Sequence, residues 1–206
     1  MRYIIFTISL FLQLSVYAQS AGDYQSKQSG NWSDGSTWQR HNGTAFIDAA
    51  APPDATSGTI TIRNGHTVSV NNEVRGKHVV IAAGGVLNWT GGNLNAHLTN
   101  NGTFNLTNGI NIGNDADPDP IINNNGTFNW NNASINFWDA TFNNNASGIF
   151  NANENNGMGI WSGNNILFNN AGTFNKQNGS GTTTIGIPWQ NSGSIKGFGT
   201  IAANST

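Results

Sequence analysis

His97-Leu98-Thr99-Asn100-Asn101-Gly102-Thr103-Phe104-Asn105 shares its last six residue types with Ile121-Ile122-Asn123-Asn124-Asn125-Gly126-Thr127-Phe128-Asn129. The same order recurs in Thr141-Phe142 through Gly148-Ile149-Phe150-Asn151, in Leu167-Phe168-Asn169-Asn170-Ala171-Gly172-Thr173-Phe174-Asn175, and in Pro188-Trp189-Gln190-Asn191-Ser192-Gly193-Ser194-Ile195-Lys196. The aligned glycines are residues 102, 126, 148, 172 and 193, in steps of 24, 22, 24 and 21. That step is too long for a hexapeptide solenoid and too short for a propeller blade. It suits one coil of a parallel β-helix, with two or three short strands per coil joined by turns.

The side chains after each glycine alternate, as they do in a strand. Thr103, Thr127, Ile149, Thr173 and Ser194 point one way, and Phe104, Phe128, Phe150, Phe174 and Ile195 the other. Stacked coils place the second set in an internal ladder. Leu98, Ile122, Phe168 and Trp189, four residues before the glycine, form a second apolar row. The third segment carries two extra residues between Phe142 and Gly148, read as a bulged corner. Asn100, Asn124, Asn170 and Asn191 recur two positions before the glycine. Asparagine tolerates left-handed backbone and can bond its equivalent in the next coil, so a corner ladder accounts for its spacing. A third strand is expected at residues 134–138, 159–161 and 182–187, and earlier coils at 58–62, 67–70, 78–81 and 85–89. The irregular step favours a right-handed helix.

Composition agrees with this reading. The 206 residues include 36 Asn and 26 Gly but only 9% charged residues, beside seven Trp, eleven Phe and three Tyr. So many aromatics with so little net charge argue against disorder. Without cysteine, disulfides, thiolate metal sites and thiol nucleophiles are excluded. Eight scattered basic residues and a net charge of −2 give no footprint for nucleic acid.

Arg2, the apolar run from Ile4 to Leu14 and the small-residue approach Ser15-Val16-Tyr17-Ala18 read as a signal peptide over residues 1–18, cleaved after Ala18. The run is too short for a bilayer span, and no second apolar stretch follows, so no membrane span is expected in the mature chain. Residues 19–56 read as an N-terminal cap segment and 57–206 as the β-helix.

Ahead of the regular coils stand Ser29-Gly30-Asn31-Trp32-Ser33-Asp34-Gly35-Ser36-Thr37-Trp38, Gly58-Thr59-Ile60-Thr61-Ile62-Arg63-Asn64-Gly65-His66-Thr67-Val68-Ser69-Val70, and Ala83-Gly84-Gly85-Val86-Leu87. This order resembles the start of secreted, adhesin-like solenoid proteins of Gram-negative bacteria, and more loosely the extracellular domain named for its eight glycines. The resemblance covers about residues 29–90 and implies a secreted or surface-displayed β-helix. Such proteins often end in a sorting domain, whereas this sequence stops in mid-coil at Ile201-Ala202-Ala203-Asn204-Ser205-Thr206, as a fragment of a longer reading frame would.

Chemistry-bearing residues are few. Asp115, Asp117 and Asp119 form the one dense carboxylate group, a set of hard oxygen ligands for Ca2+, the single cofactor considered, or else a solvated insertion between coils. Trp32 and Trp38 read as a cap on the first coil or, alternatively, as an aromatic platform for a sugar ring. Trp89 and Trp130 take the inward register. His41, His66, His78 and His97 share no metal spacing, and Asp139 and Glu154 fall on successive coils where they could approach. With so few acids and bases, no catalytic residue is assigned. Thr103, Asn105, Thr127, Asn129, Thr173 and Asn175 form a flat outward ladder suited to glycans or other surface polymers. The alternatives are a carbohydrate-active enzyme, a lyase or hydrolase, and an ice-binding plane.

Overall fold

The computed structural model describes residues 19–113, 118–131 and 133–205, so the expected leader lies outside the described residues. The chain is an all-β parallel solenoid of about seven turns. One strip is an eight-stranded parallel sheet: Gly30–Asn31, Thr67–Val70, Val86–Trp89, Thr103–Leu106, Thr127–Trp130, Ile149–Ala152, Thr173–Lys176 and Ser194–Gly197. Its inward column is Val68, Leu87, Phe104, Phe128, Phe150 and Phe174, continued in register by Ile195, which is 50% exposed and so is not the buried rung expected; the steps between coils are 19, 17, 24, 22, 24 and 21 residues. The expected 21 to 24 therefore holds from Phe104 onward, and the first coils are shorter. The reason lies in the remaining strands, which form one 14-stranded sheet. In the short coils a single eight-residue strand, Val74–Ile81 or Asn93–Asn100, does the work of two. In the long coils that span is divided, as in Ile135–Trp138 followed by Thr141–Asn144. The division adds a turn. The 21-residue coil has one ten-residue strand, Thr182–Asn191.

The core is a pair of aromatic columns. Phe104, Phe128, Phe150 and Phe174 stack nearly face to face, with centroids 4.6, 4.9 and 5.2 Å apart. Phe142, Phe168 and Trp189 form the second column at 5.0 and 5.1 Å, and the two meet edge to face, as Phe150 meets Phe168. Each such pair contributes about 0.5–1.5 kcal/mol beyond the area it buries. Trp89 and Trp130 are fully buried, as their inward register requires. Trp189 is also buried, Trp138 is half-buried and Trp161 is exposed.

The corner ladder runs inside the solenoid. Asn100 Nδ2 donates to Asn124 Oδ1 at 2.7 Å, Asn124 to Asn144 at 2.8 Å, Asn144 to Asn170 at 2.6 Å and Asn170 to Asn191 at 2.6 Å. Two details correct the sequence reading. No asparagine among the described residues has positive φ; the one non-glycine that does is Asp139, at 46°. The ladder residues end their strands in extended backbone. They are needed because each Nδ2 also reaches a carbonyl past the corner, Thr127, Ile149 or Thr173. The third segment joins through Asn144, because Thr141–Asn144 keeps full register with Ile121–Asn124 and both extra residues enter the turn that follows.

At the N-terminal end Tyr24–Ser26 pairs in parallel with Thr59–Ile62 but antiparallel with Trp38–His41, which pairs antiparallel with Phe46–Asp48. At the other end Thr200–Ser205 pairs with Thr182–Asn191.

Candidate functional site

The eight-stranded sheet turns two straight columns outward. One is Thr67, Val86, Thr103, Thr127, Ile149, Thr173 and Ser194; the other is Ser69, Asn88, Asn105, Asn129, Asn151, Asn175 and Lys196. The six residues expected from sequence to form a ligand face, Thr103, Asn105, Thr127, Asn129, Thr173 and Asn175, do share one half-buried face. The asparagines bond along it. Asn105 Nδ2 donates to Asn88 Oδ1 at 2.9 Å, Asn129 to Asn105 at 2.8 Å, Asn151 to Asn129 at 2.8 Å and Asn175 to Asn151 at 3.3 Å. A carboxamide has two donors and two lone pairs. Asn105 and Asn129 use one of each in the ladder, so each keeps one amide donor and one acceptor beside the hydroxyl of Thr103 or Thr127, one coil apart at about 4.8 Å, and Asn175 lies beside Thr173 in the same way. No register shift interrupts these pairings. Ile149, 42% exposed, breaks the threonine column with an apolar step.

Trp32 and Trp38 are 3% and 0% exposed, which corrects the platform reading: neither ring has a face left for a sugar. They meet edge to face at 4.9 Å, and Trp38 Nε1–H donates to the Trp32 carbonyl at 2.8 Å. Asp115 and Asp117 lie outside the described residues, while Asp119 is exposed. Among the described residues no three His, Asp or Glu side chains gather as a metal site. Asp139 serves to hold a turn of the next coil, its Oδ1 accepting the Asn164 and Asn165 N–H groups at 2.6 and 2.8 Å. The Glu154 carbonyl accepts from Thr183 Oγ1 at 3.0 Å. Lys176 is 1% exposed, its Nζ set among Thr183 Oγ1, Asn155 Oδ1 and the Glu154 and Asn178 carbonyls at 2.9–3.3 Å. An ammonium held this way pins a corner and offers no base to solvent.

Sequence reasoning missed a histidine pair. His78 and His97 occupy one outward column of the 14-stranded sheet, with ring centroids 6.5 Å apart and planes at 87°. His78 Nε2 contacts Thr99 Oγ1 at 2.9 Å, and His97 Nδ1 accepts the Ile121 N–H at 3.0 Å. Burial holds the His78 pKa below the ordinary histidine value, and the charge of a protonated His97 lowers it further. The pair's spacing of 19 residues equals the length of an early coil, a signal readable only once those coils are known to be short. The groove beside the pair, about 930 Å³, is bordered by Asp23, Lys77, Ala96 and Ile121.

Compared with known proteins, the chain matches no protein-family model, no curated protein and no solved structure. What is established is the class, a parallel β-solenoid.

Proposed function

We propose that this protein is a secreted or surface-displayed, adhesin-like structural solenoid that contacts glycans or other surface polymers through its Thr/Asn face. The observation that carries the reading is the laddered amides of the outward face, which Thr103, Thr127 and Thr173 flank with hydroxyls. A repeating polymer needs a repeating row of donors and acceptors, and rows fixed by neighbouring coils lose little conformational entropy on binding. In this reading the Trp32–Trp38 layer and the antiparallel strands around it close the first coil, because a terminal coil has no neighbour to cover it. Export follows from the leader, and the mature chain then begins at Gln19.

A glycan array probed with the recombinant chain tests the contact. We expect a signal on polymeric glycans whose affinity falls by about a hundredfold when Thr103, Thr127 and Thr173 are all replaced by Val, since three hydroxyl hydrogen bonds at about 1 kcal/mol each go and shape stays. No signal over a broad panel refutes glycan contact. Mass spectrometry of the exported protein tests the route: an N-terminus at Met1 overturns it.

A further inference from the structure

We infer that the groove beside His78 and His97 is a binding site for an acidic saccharide, whose carboxylate is received by Lys77 and His97. The inference rests on the glycan-binding reading and moves its strongest contact to the other sheet.

The groove arises where the two eight-residue strands bend. Val74–Ile81 and Asn93–Asn100 pair in register at Arg75↔Asn95 and again at His78↔His97, with a register shift between. Gly76, at φ 145°, sits in that shift, and a Cβ there would lie 2.6 Å from Ile60 Cδ1. The two unbroken strands form its floor, and Asp23 on one side and Ile121 on the other border it.

Its polar groups favour an anion. The Ile121 N–H donates to His97 Nδ1, so in the neutral ring the proton is on Nε2, which becomes a donor and not a metal ligand. Lys77 is exposed and has no carboxylate partner among the described residues, where the ion pairs are Lys27–Asp48 and Arg75–Glu73. The acid at the groove is already engaged. Asp23 is buried, its Oδ2 accepting the Ser20 N–H at 2.7 Å and its Oδ1 the Thr59 N–H at 2.8 Å. Among the described residues that line the groove, Lys77 and His97 thus stand with no free carboxylate, and charge-assisted bonds to a carboxylate are the stronger kind. Ile121, 41% exposed, supplies an apolar surface for a pyranose ring. The groove is open and of the size usual for small-ligand sites, so it can take a segment of a longer chain.

The test is an NMR titration of the isotope-labelled full chain with trigalacturonate and, separately, with neutral galactotriose. The expected result is shifts at the His97 ring and Lys77, with affinity for trigalacturonate about tenfold above that for the neutral trimer. Lys77→Gln, an exposed change that leaves the fold intact, removes most of that preference, while Lys196→Gln on the Thr/Asn face does not. Equal affinities, an unchanged Lys77→Gln variant, or no shift at about 10 mM of either trimer overturns the inference. Shifts confined to Thr127 and Asn129 also overturn it, and leave the glycan-binding reading standing.

Discussion

Replacing Asn124 by Ala interrupts the internal ladder at its centre. Asn124 is fully buried; it accepts from Asn100 Nδ2 at 2.7 Å and donates to Asn144 Oδ1 at 2.8 Å and to the Ile149 carbonyl at 3.2 Å. Three hydrogen bonds at about 1 kcal/mol each give about 3 kcal/mol, and the stranded Asn144 Oδ1 adds roughly 1–3 kcal/mol because no water replaces the lost donor. The loss should therefore lie near 4–6 kcal/mol, a large part of the stability of an ordinary domain. Asn129→Ala is the control: Asn129 belongs to a ladder of the same chemistry, but it is half-buried on the outer face, where water takes over its bonds. Its cost should be about 0.5–1 kcal/mol. Urea unfolding followed by both tryptophan fluorescence and circular dichroism measures the two, with coincident curves justifying a single free energy. A difference of less than about 1 kcal/mol between the variants refutes the argument that burial gives the inner ladder its weight.

Asp139→Ala should cost about 2 kcal/mol in the same assay, since it removes the acceptor for the Asn164 and Asn165 N–H groups, whereas Asp139→Asn, which keeps a side-chain oxygen and suits positive φ, should cost under about 1 kcal/mol. Gly92→Ala should destabilise by at least about 2 kcal/mol, because φ is 104° and a Cβ would meet the Asn72 carbonyl; an unchanged midpoint would show that the corner yields. Stability should fall as pH drops below 6.5, the ordinary value at which an unfolded histidine takes up its proton, because folded His78 resists protonation until lower pH. A His78→Asn variant should lose that part of the slope between pH 7 and 5, and an identical slope would exclude His78 as its source. Asp34, Asp48 and Asp54, all held below the usual carboxylate value by hydrogen bonds, contribute stability that is lost only at still lower pH.

The register from Phe104 to Ile195 was legible because three constraints recur there: glycine at the corner, a large apolar residue two positions later and, in all but the third segment, asparagine two positions before. The earlier coils follow the same alternation with aliphatic residues, as in Val68 and Leu87, but lack the repeated corner, so their shorter length was hidden. Trp32 and Trp38 were ambiguous for a different reason. A tryptophan that closes a core and one that meets a sugar look alike in sequence, and only burial separates them. The left-handed conformation expected of the asparagines was wrong because the amide's value here lies in its two-sided hydrogen bonding. The histidine groove escaped notice because it depends on a register shift within one strand pair, which no periodicity reports.

The two amide ladders differ in one further respect. Inside, each donor belongs to the earlier coil, a sense fixed by the backbone carbonyls that share the same Nδ2; outside, each donor belongs to the later coil. The inner column therefore opposes the outer one, whose sense is shared by the rows Asn93–Asn111–Asn136, Asn101–Asn125–Asn145 and Asn123–Asn143–Asn169. A stack of aligned amides would gather partial charge at its tips, as a long α-helix does. Here one inner column is set against several outer ones, so the side-chain dipoles do not cancel, and every added coil extends the majority sense and the partial charge it carries to the tips.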